Sequence, residues 1–380
     1  MKNYLIYTLV TSWDEPPRAR HQVTNELKEE GKVYFVERNK VGRPRIELKE
    51  IEKNVILVTP YFPVVYKVRY RTPGLNEIYH HWLLKKIKGL SIDFEMVISF
   101  DYTAHAIHQY YDNVIFYCAD DNVGFGNFNP FFINQYHTKT ERLAAEKARA
   151  CIVTSDYMGV KIGNYNTNTH VVPLGAPLIN YTNIAYPCKE KELPTLGIVG
   201  YLDYNMDFTL LYQILEKFRT IFIGPVSEAN KQKLEKYPNA EFVGQKTGLE
   251  LYECLSKVDV CIAPYDVTKL NKGATPNKLW LYLALGKPSV VTNMPNIKNW
   301  DFGDKLVYKC DNKDFIANCI QAYTDDNYEL SLKRVEYAKN NSWKNRIEKI
   351  KEIFYQAKTD NNSLKVNTGS LEANLDMNLL

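Results

Sequence analysis

At 380 residues the chain has material for two cores, and its formal charge of +4 and pI of about 8.4 are too mildly basic for a nucleic-acid binder. Its seven Cys form no CxxC pair, which points to small buried hydrophobes in a reducing compartment instead of a zinc or disulfide framework. No apolar run has the length of a membrane span and no secretory h-region opens the chain, so a cytoplasmic protein is expected.

Residues 4–10 read as a first buried strand, followed by the loop SWDEPPRARHQ, a helix across Val23 to Glu30 and a strand at Val33 to Val36. Further strands are expected at Ile56 to Val58, Met96 to Phe100, Val114 to Tyr117, Cys151 to Thr154 and Val171 to Pro173. Helices are expected over Leu75 to Lys88 and Lys139 to Ala150. Short buried strands alternating with helices indicate a parallel sheet covered on both faces.

Pro, Asn and the run KEKE interrupt the pattern at 177–194, which reads as a linker. It restarts at Leu196 to Gly200 and continues through a helix at Phe208 to Phe218, strands at Thr220 to Ile223, Glu241 to Gly244 and Val258 to Ala263, and a helix at Leu249 to Lys257. The predicted organisation is an α/β N-terminal domain at 1–176, the linker, a second Rossmann-like domain at 195–342, a helix at 343–358 and a polar tail at 359–380 expected to be disordered.

Thr275 to Pro295, TPNKLWLYLALGKPSVVTNMP, reads as a loop, a short helix, a Gly286 stop and a buried strand. Lys278 and the amides near Thr275 to Asn277 converge at the helix start, a place suited to an anion. A phosphate-bearing ligand is the first hypothesis.

Several segments in order carry a family resemblance: LGIVGYLDYNMD, FIGPV, AEFVGQKTGLELYECLSKVDVCIAPYD, PNKLWLYLALGKPSVVTNMP and NNSWKNR. Together they resemble bacterial glycosyltransferases of the GT-B fold, most of all the family-4-type enzymes that build capsules, O-antigens and teichuronic acids. YLIYTLVTSWDEPPRARHQ, FYCADDN and CIVTSDYM resemble them more weakly. The resemblance implies an α/β fold of two Rossmann-like domains facing across a cleft, with the C-terminal helix crossing back. It also implies a nucleotide-sugar donor, in the first instance a UDP-sugar, in the second domain. The acceptor, a lipid-linked or growing polysaccharide, would bind in the first.

In that frame no metal cofactor is expected, because Lys278 with the Thr275 and Asn277 amides would hold the diphosphate. Gly200 and Tyr201 follow a strand end, as do Gly244 and the segment Pro264-Tyr265-Asp266, and all are candidate donor contacts, the last by stacking on the base or hydrogen-bonding to it. Asp203 and Asp207 are helix caps or sugar ligands. The first domain offers Trp13 and Arg18 on the acceptor side, with His21, Asp120 and Asp121 as candidate bases and Asp121 slightly preferred. Glu141 reads as an exposed helix residue, with a supporting partner of these acids as the alternative. One departure stands out. Related retaining enzymes carry two Glu eight positions apart, and Gly273 and Leu281 stand there instead, so either ribose contact comes from elsewhere or the chain belongs to a divergent branch, and the resemblance leaves both retaining and inverting transfer open.

Tyr66 to Leu90 mixes Lys67, Arg69, Arg71, Lys85, Lys86 and Lys88 with Tyr66, Tyr70, Tyr79 and Trp82. Such a stretch suits an anionic membrane surface or an ordinary solvated helix over a core. Partnership with nucleic acid is not expected. Two rival functions stay open: a sugar-nucleotide epimerase of the same fold, and a non-catalytic sugar-nucleotide-binding partner.

Overall fold

The computed structural model describes residues 1–8, 11–124, 130–177, 179, 192–202, 205–270 and 272–357. Most of the expected linker, the expected tail and Asp203 lie outside the described residues. The chain divides into two compact units, Met1–Pro173 with the chain from Arg346 onward, and Leu174–Asn345.

The first unit carries β1 (Lys2–Tyr7), α1 (Ala19–Leu27), β2 (Gly31–Val36), β3 (Lys40–Val41), β4 (Arg45–Glu52), β5 (Val55–Phe62), α2 (Tyr66–Arg69) and α3 (Pro73–Lys88). It continues with β6 (Met96–Ser99), β7 (Val114–Cys118), α4 (Phe131–Glu146), β8 (Ala150–Val153), α5 (Asp156–Gly163) and β9 (Thr169–Val171). The sheet order is β3-β5-β2-β1-β6-β7-β8-β9, parallel throughout, with β4 added antiparallel to β5. The β4–β5 hairpin is absent from the sequence reading because RIELKEIE alternates apolar with Lys and Glu, a pattern that protects a solvent-facing edge. Helix α4 begins eight residues ahead of the expected Lys139. Its N-terminal half is fixed by tertiary packing of Ile133 and His137, both buried.

The second unit carries β10 (Leu196–Val199), α6 (Phe208–Lys217), β11 (Thr220–Ile223), α7 (Glu228–Leu234), β12 (Ala240–Gly244), α8 (Gly248–Ser256) and β13 (Val260–Ala263). After these come α9 (Lys278–Ala284), β14 (Ser289–Thr292), β15 (Val307–Cys310), α10 (Phe315–Asp325) and α11 (Tyr328–Asn340). Its strands are parallel in the order β12-β11-β10-β13-β14-β15. That is the 3-2-1-4-5-6 order of a doubly wound fold, whose ligand crevice lies where the order reverses, between β10 and β13. Alternate residues of β11 feed the two faces: Ile221 and Ile223 join one core cluster and Phe222 the other. The chain returns to the first unit at Arg346, within a helix over 343–357 (α12) whose Ile347, Ile350, Ile353 and Phe354 are buried.

Candidate functional site

In the second unit, the crevice between β10 and β13 is built by one tyrosine and two glycines. The Tyr282 hydroxyl on α9 accepts from the Val199 N–H at 3.0 Å and lies 3.5 Å from the Ile262 carbonyl, so it ties the helix to the ends of both strands. Lys278 stands one turn earlier on the same face of α9. Its Nζ is thereby held 5.2 Å from the Tyr265 ring centroid and 3.7 Å from where a Cβ on Gly200 would be. Gly200 itself has φ +107, a turn that an L side chain rarely adopts. A Cβ on Gly224 would meet the Gly200 carbonyl oxygen at 2.1 Å, so the two turns pack backbone against backbone.

Lys278 is half-buried, and among the described residues its ammonium has no hydrogen-bond or ion-pair partner. Burial pulls it down to about 8. A cation without a counter-ion at the switch point of a doubly wound sheet is a place where an anionic ligand gains the most.

The other expected contacts are arranged unevenly around this point. Tyr201 is exposed beside Gly200 and free to meet a ligand. Pro264 accepts from the Asp207 N–H at 3.1 Å, and Asp207 caps α6 through Leu210 N at 3.0 Å, which settles its cap reading. Tyr265 departs from expectation: its ring is buried in the core, so it forms the floor under Lys278 and offers no open face for a base. Thr275 accepts from the Asn277 N–H at 3.0 Å, and Asn277 precedes α9 without a side-chain cap bond. Gly244, with φ +71, ends β12 two strands away from β10. Leu281 packs against the core cluster under α9, in keeping with an apolar residue at that position.

In the first unit a pocket of about 130 Å³ opens at the carboxyl ends of β6 and β7. Arg18, Arg20, Tyr70, Asp101, Tyr117 and Asp120 contribute to its lining. The Asp101 carboxylate is buried: Oδ1 accepts from the Thr103 N–H at 2.8 Å and its hydroxyl at 2.7 Å, while Oδ2 has no partner among the described residues. The Tyr117 hydroxyl and Arg20 Nε are likewise buried without a partner. Burial pulls the Arg20 guanidinium down to about 10, with Arg18 adding to the fall. Asp120 keeps contact with solvent at this pocket; enclosure by the walls raises its carboxyl, and Arg20 and Arg18 oppose the rise. Three unpaired polar groups and a titratable carboxylate form a wall suited to a polyhydroxylated ligand.

The two neighbouring acids separate. Asp121 is buried, 2.7 Å from Lys161 Nζ, and its Oδ1 accepts from the Gly124 N–H at 2.8 Å. Lys161 also reaches Glu141 at 2.6 Å, and Glu141 is fully buried where an exposed residue was expected. The order of preference is therefore reversed: Asp121 belongs to an internal ion triad, and Asp120 faces the pocket. His21 is also a correction. Its Nδ1 accepts from the Arg18 N–H at 3.0 Å, which puts the proton of the neutral ring on Nε2, and burial lowers its pKa. In that tautomer the Nδ1 lone pair caps α1 and the Nε2–H is buried with no partner among the described residues, an arrangement that leaves no free lone pair to take up a proton. Trp13 packs on it, ring centroids 5.3 Å apart, and on Phe35 at 5.1 Å. Arg18 lines the pocket with an exposed side chain.

Sequence reading missed Arg20, Asp101 and Tyr117. Asp101 carried a usable signal, an acid two residues after the last residue of a buried parallel strand. The Tyr66 to Leu90 stretch also differs from its sequence reading. Tyr79 is fully buried, Trp82 packs on the same core and Tyr66 lies under Arg38, so its aromatics serve the fold while Lys85, Lys86 and Lys88 face solvent. Among the described residues no helix is long and apolar enough to cross a membrane.

Residues 194–325 match the family model described as glycosyl transferases group 1. The putative teichuronic acid biosynthesis glycosyltransferase TuaH of Bacillus subtilis is 25% identical over 205 residues, 49% of this chain and 52% of that protein. The match thus spans about half the length of that relative. The sucrose-phosphate synthase of Thermosynechococcus elongatus superposes with a TM-score of 0.71 at 12% identity, covering 95% of this chain and 100% of the other. An E. coli trehalose-6-phosphate protein solved with UDP-2-fluoro glucose gives 0.66 at 12% identity, with 93% and 99% covered. The fold is GT-B. Residues 194–325 thus carry the glycosyl transferases group 1 pattern within a chain of that fold.

Proposed function

We propose that the protein moves a sugar from a nucleoside-diphosphate sugar, in the first instance a UDP-sugar, to a hydroxyl of a lipid-linked or growing bacterial surface polysaccharide. The observation that carries this is the unpaired Lys278 ammonium held against the Gly200 turn at the β10–β13 switch point. In this reading the diphosphate binds there, and Lys278 takes up the charge that develops as the bond from the sugar's anomeric carbon to the phosphate oxygen breaks. The phosphate leaves with the bonding pair. The acceptor hydroxyl forms the new bond to the anomeric carbon and loses its proton to Asp120. Arg18, Arg20, Asp101 and Tyr117 orient the acceptor through its hydroxyls.

A UDP donor is favoured by the ligand of the E. coli neighbour, and a surface-polymer acceptor by the teichuronic acid named for the B. subtilis relative. We assign the charge-neutralising role to Lys278, with no metal cofactor in the scheme, and place the protein at the inner face of the cytoplasmic membrane. The test is a screen of UDP-, GDP- and TDP-sugars with the purified protein and bacterial membrane glycans. Nucleotide release that requires the glycan supports transfer. Release or sugar isomerisation without an acceptor, or no binding of any nucleotide, overturns it.

A further inference from the structure

The first unit holds a buried chain of hydrogen bonds that ends at a residue of its pocket. It begins at Tyr7, the last residue of β1, whose hydroxyl lies 3.1 Å from Nδ1 of His80 on α3. His80 Nε2 lies 3.2 Å from the Thr103 hydroxyl, and that hydroxyl lies 2.7 Å from Asp101 Oδ1. Asp101 and Thr103 follow β6, which pairs with β1 so that Tyr7 stands opposite Ser99. Helix α3 packs on these strands through Tyr79 and Leu83, in one core cluster with Tyr7 and Val97. All four residues of the chain are buried, and three segments far apart in sequence supply them.

The hydrogen bonds run in one direction. A carboxylate only accepts, so the Thr103 hydroxyl spends its single proton on Asp101 Oδ1, which also takes the Thr103 N–H at 2.8 Å. The Thr103 oxygen is left to accept, so His80 Nε2 carries the ring proton and Nδ1 keeps a lone pair. Tyr7 then donates to Nδ1. Burial supports both ends of this assignment. It pushes the Tyr7 hydroxyl well above its ordinary value, so the proton stays on. It holds His80 well below its ordinary value, with Arg69, His105 and His81 adding to the fall, so the ring stays neutral. Every donor therefore points toward Asp101, and successive bonds polarise one another in a dry interior. A network that served the core alone would have its polar atoms paired. This one stops at Oδ1 and leaves Oδ2 without a partner among the described residues, on a side chain that lines the pocket.

We propose that His80 is a positioning residue of the acceptor site: through Thr103 it fixes the Asp101 carboxylate so that Oδ2 accepts from a hydroxyl of the acceptor sugar. Tyr7 holds His80 in the tautomer that this needs. The inference rests on the reading of the pocket as the acceptor site. It gives the chain no proton transfer: the hydroxyl that meets Asp101 keeps its proton, and Asp120 remains the base.

The hydrogen-bond chain is tested first, on the full-length protein without donor or acceptor. Nitrogen-15 spectra of the imidazole rings, with the His80 signals identified by their loss in His80→Gln, should show a neutral ring protonated at Nε2 from about pH 5 to about pH 8. A proton on Nδ1, or a ring that becomes charged in that range, overturns the proposal. The positioning role is tested in transfer from UDP-sugars to bacterial membrane glycans. Thr103→Val and His80→Asn should each raise the glycan KM about ten-fold, with kcat changed less than about three-fold and UDP affinity unchanged. Thr103→Ser returns the hydroxyl and His80→Gln returns an N–H at the place of Nε2, so both should recover most of the loss. A joint fall in kcat and UDP affinity, or no recovery in the Ser and Gln variants, means a structural role alone and overturns the proposal. If no glycan is extended, the transfer reading fails, and retention of the same glycans by the immobilised protein decides. Weaker retention by Thr103→Val then supports the positioning role, and retention equal to that of the wild type overturns it.

Discussion

The Lys278 ammonium lies 3.7 Å from the point where a side chain on Gly200 would begin, although 78 positions of sequence separate the residues. The β10–β13 pairing and the Tyr282 hydroxyl, which accepts from Val199 N–H, make this approach possible. A backbone turn, a cation and an aromatic floor then surround one point.

Lys278→Ala should weaken UDP binding by about 10- to 100-fold, the range for losing a hydrogen bond to a charged group. Calorimetric titration reads it directly. An unchanged affinity would remove Lys278 from the site.

The pH dependence has a definite sign. The folded protein holds Lys278 down to about 8, so above that pH the free ammonium is largely deprotonated. A bound diphosphate favours the charged form, so binding takes up a proton there. UDP affinity should be level below about pH 7 and fall by up to about tenfold per unit above pH 8. Lys278→Arg should flatten the profile.

The two glycines differ in how they fail. Gly200→Ala places a side chain at φ +107 with only ordinary contact to Lys278, a strain of about 1–3 kcal/mol. Gly224→Ala drives a carbon into the Gly200 carbonyl and has no flexible atom to move, so its loss of stability should be larger. Thermal unfolding of the two variants checks the order.

Asp120→Asn should lower transfer by about 10²- to 10⁴-fold with an unchanged melting temperature, the signature of a lost proton acceptor. Asp121→Asn should do the reverse. It removes one of the two carboxylates that hold the half-buried Lys161, together with the acceptor for the Gly124 N–H, and should cost about 1–3 kcal/mol of stability. Equal loss of rate in both variants, with both stable, would contradict the assignment.

His21→Ala should leave the pH dependence of transfer intact and cost about 1 kcal/mol or more, because the side chain caps α1 and fills a space against Trp13 and Phe35. Loss of the acidic limb of the pH–rate profile, the rise in rate with pH, would restore it as a catalytic base.

By itself the sequence determined the fully buried strands and their kind. LGIV, TIFI, VCIA and SVVT are continuous apolar runs because a parallel sheet is covered on both faces, and that local rule needs no partner to be recognised. It also singled out Lys278, since a Lys at the start of a short helix before a Gly stop is a local pattern. Tertiary structure decided which polar residues meet. Asp120 and Asp121 are neighbours whose side chains leave an extended backbone on opposite sides, and only packing against Lys161 tells which one is internal. Asp101 and Arg20 reach one pocket because β6 and β1 pair, and the aromatics of α3 turn inward because β5 and β6 supply a core there. Spacing along a chain fixes the period of burial; pairing between distant strands fixes the chemistry that a surface presents.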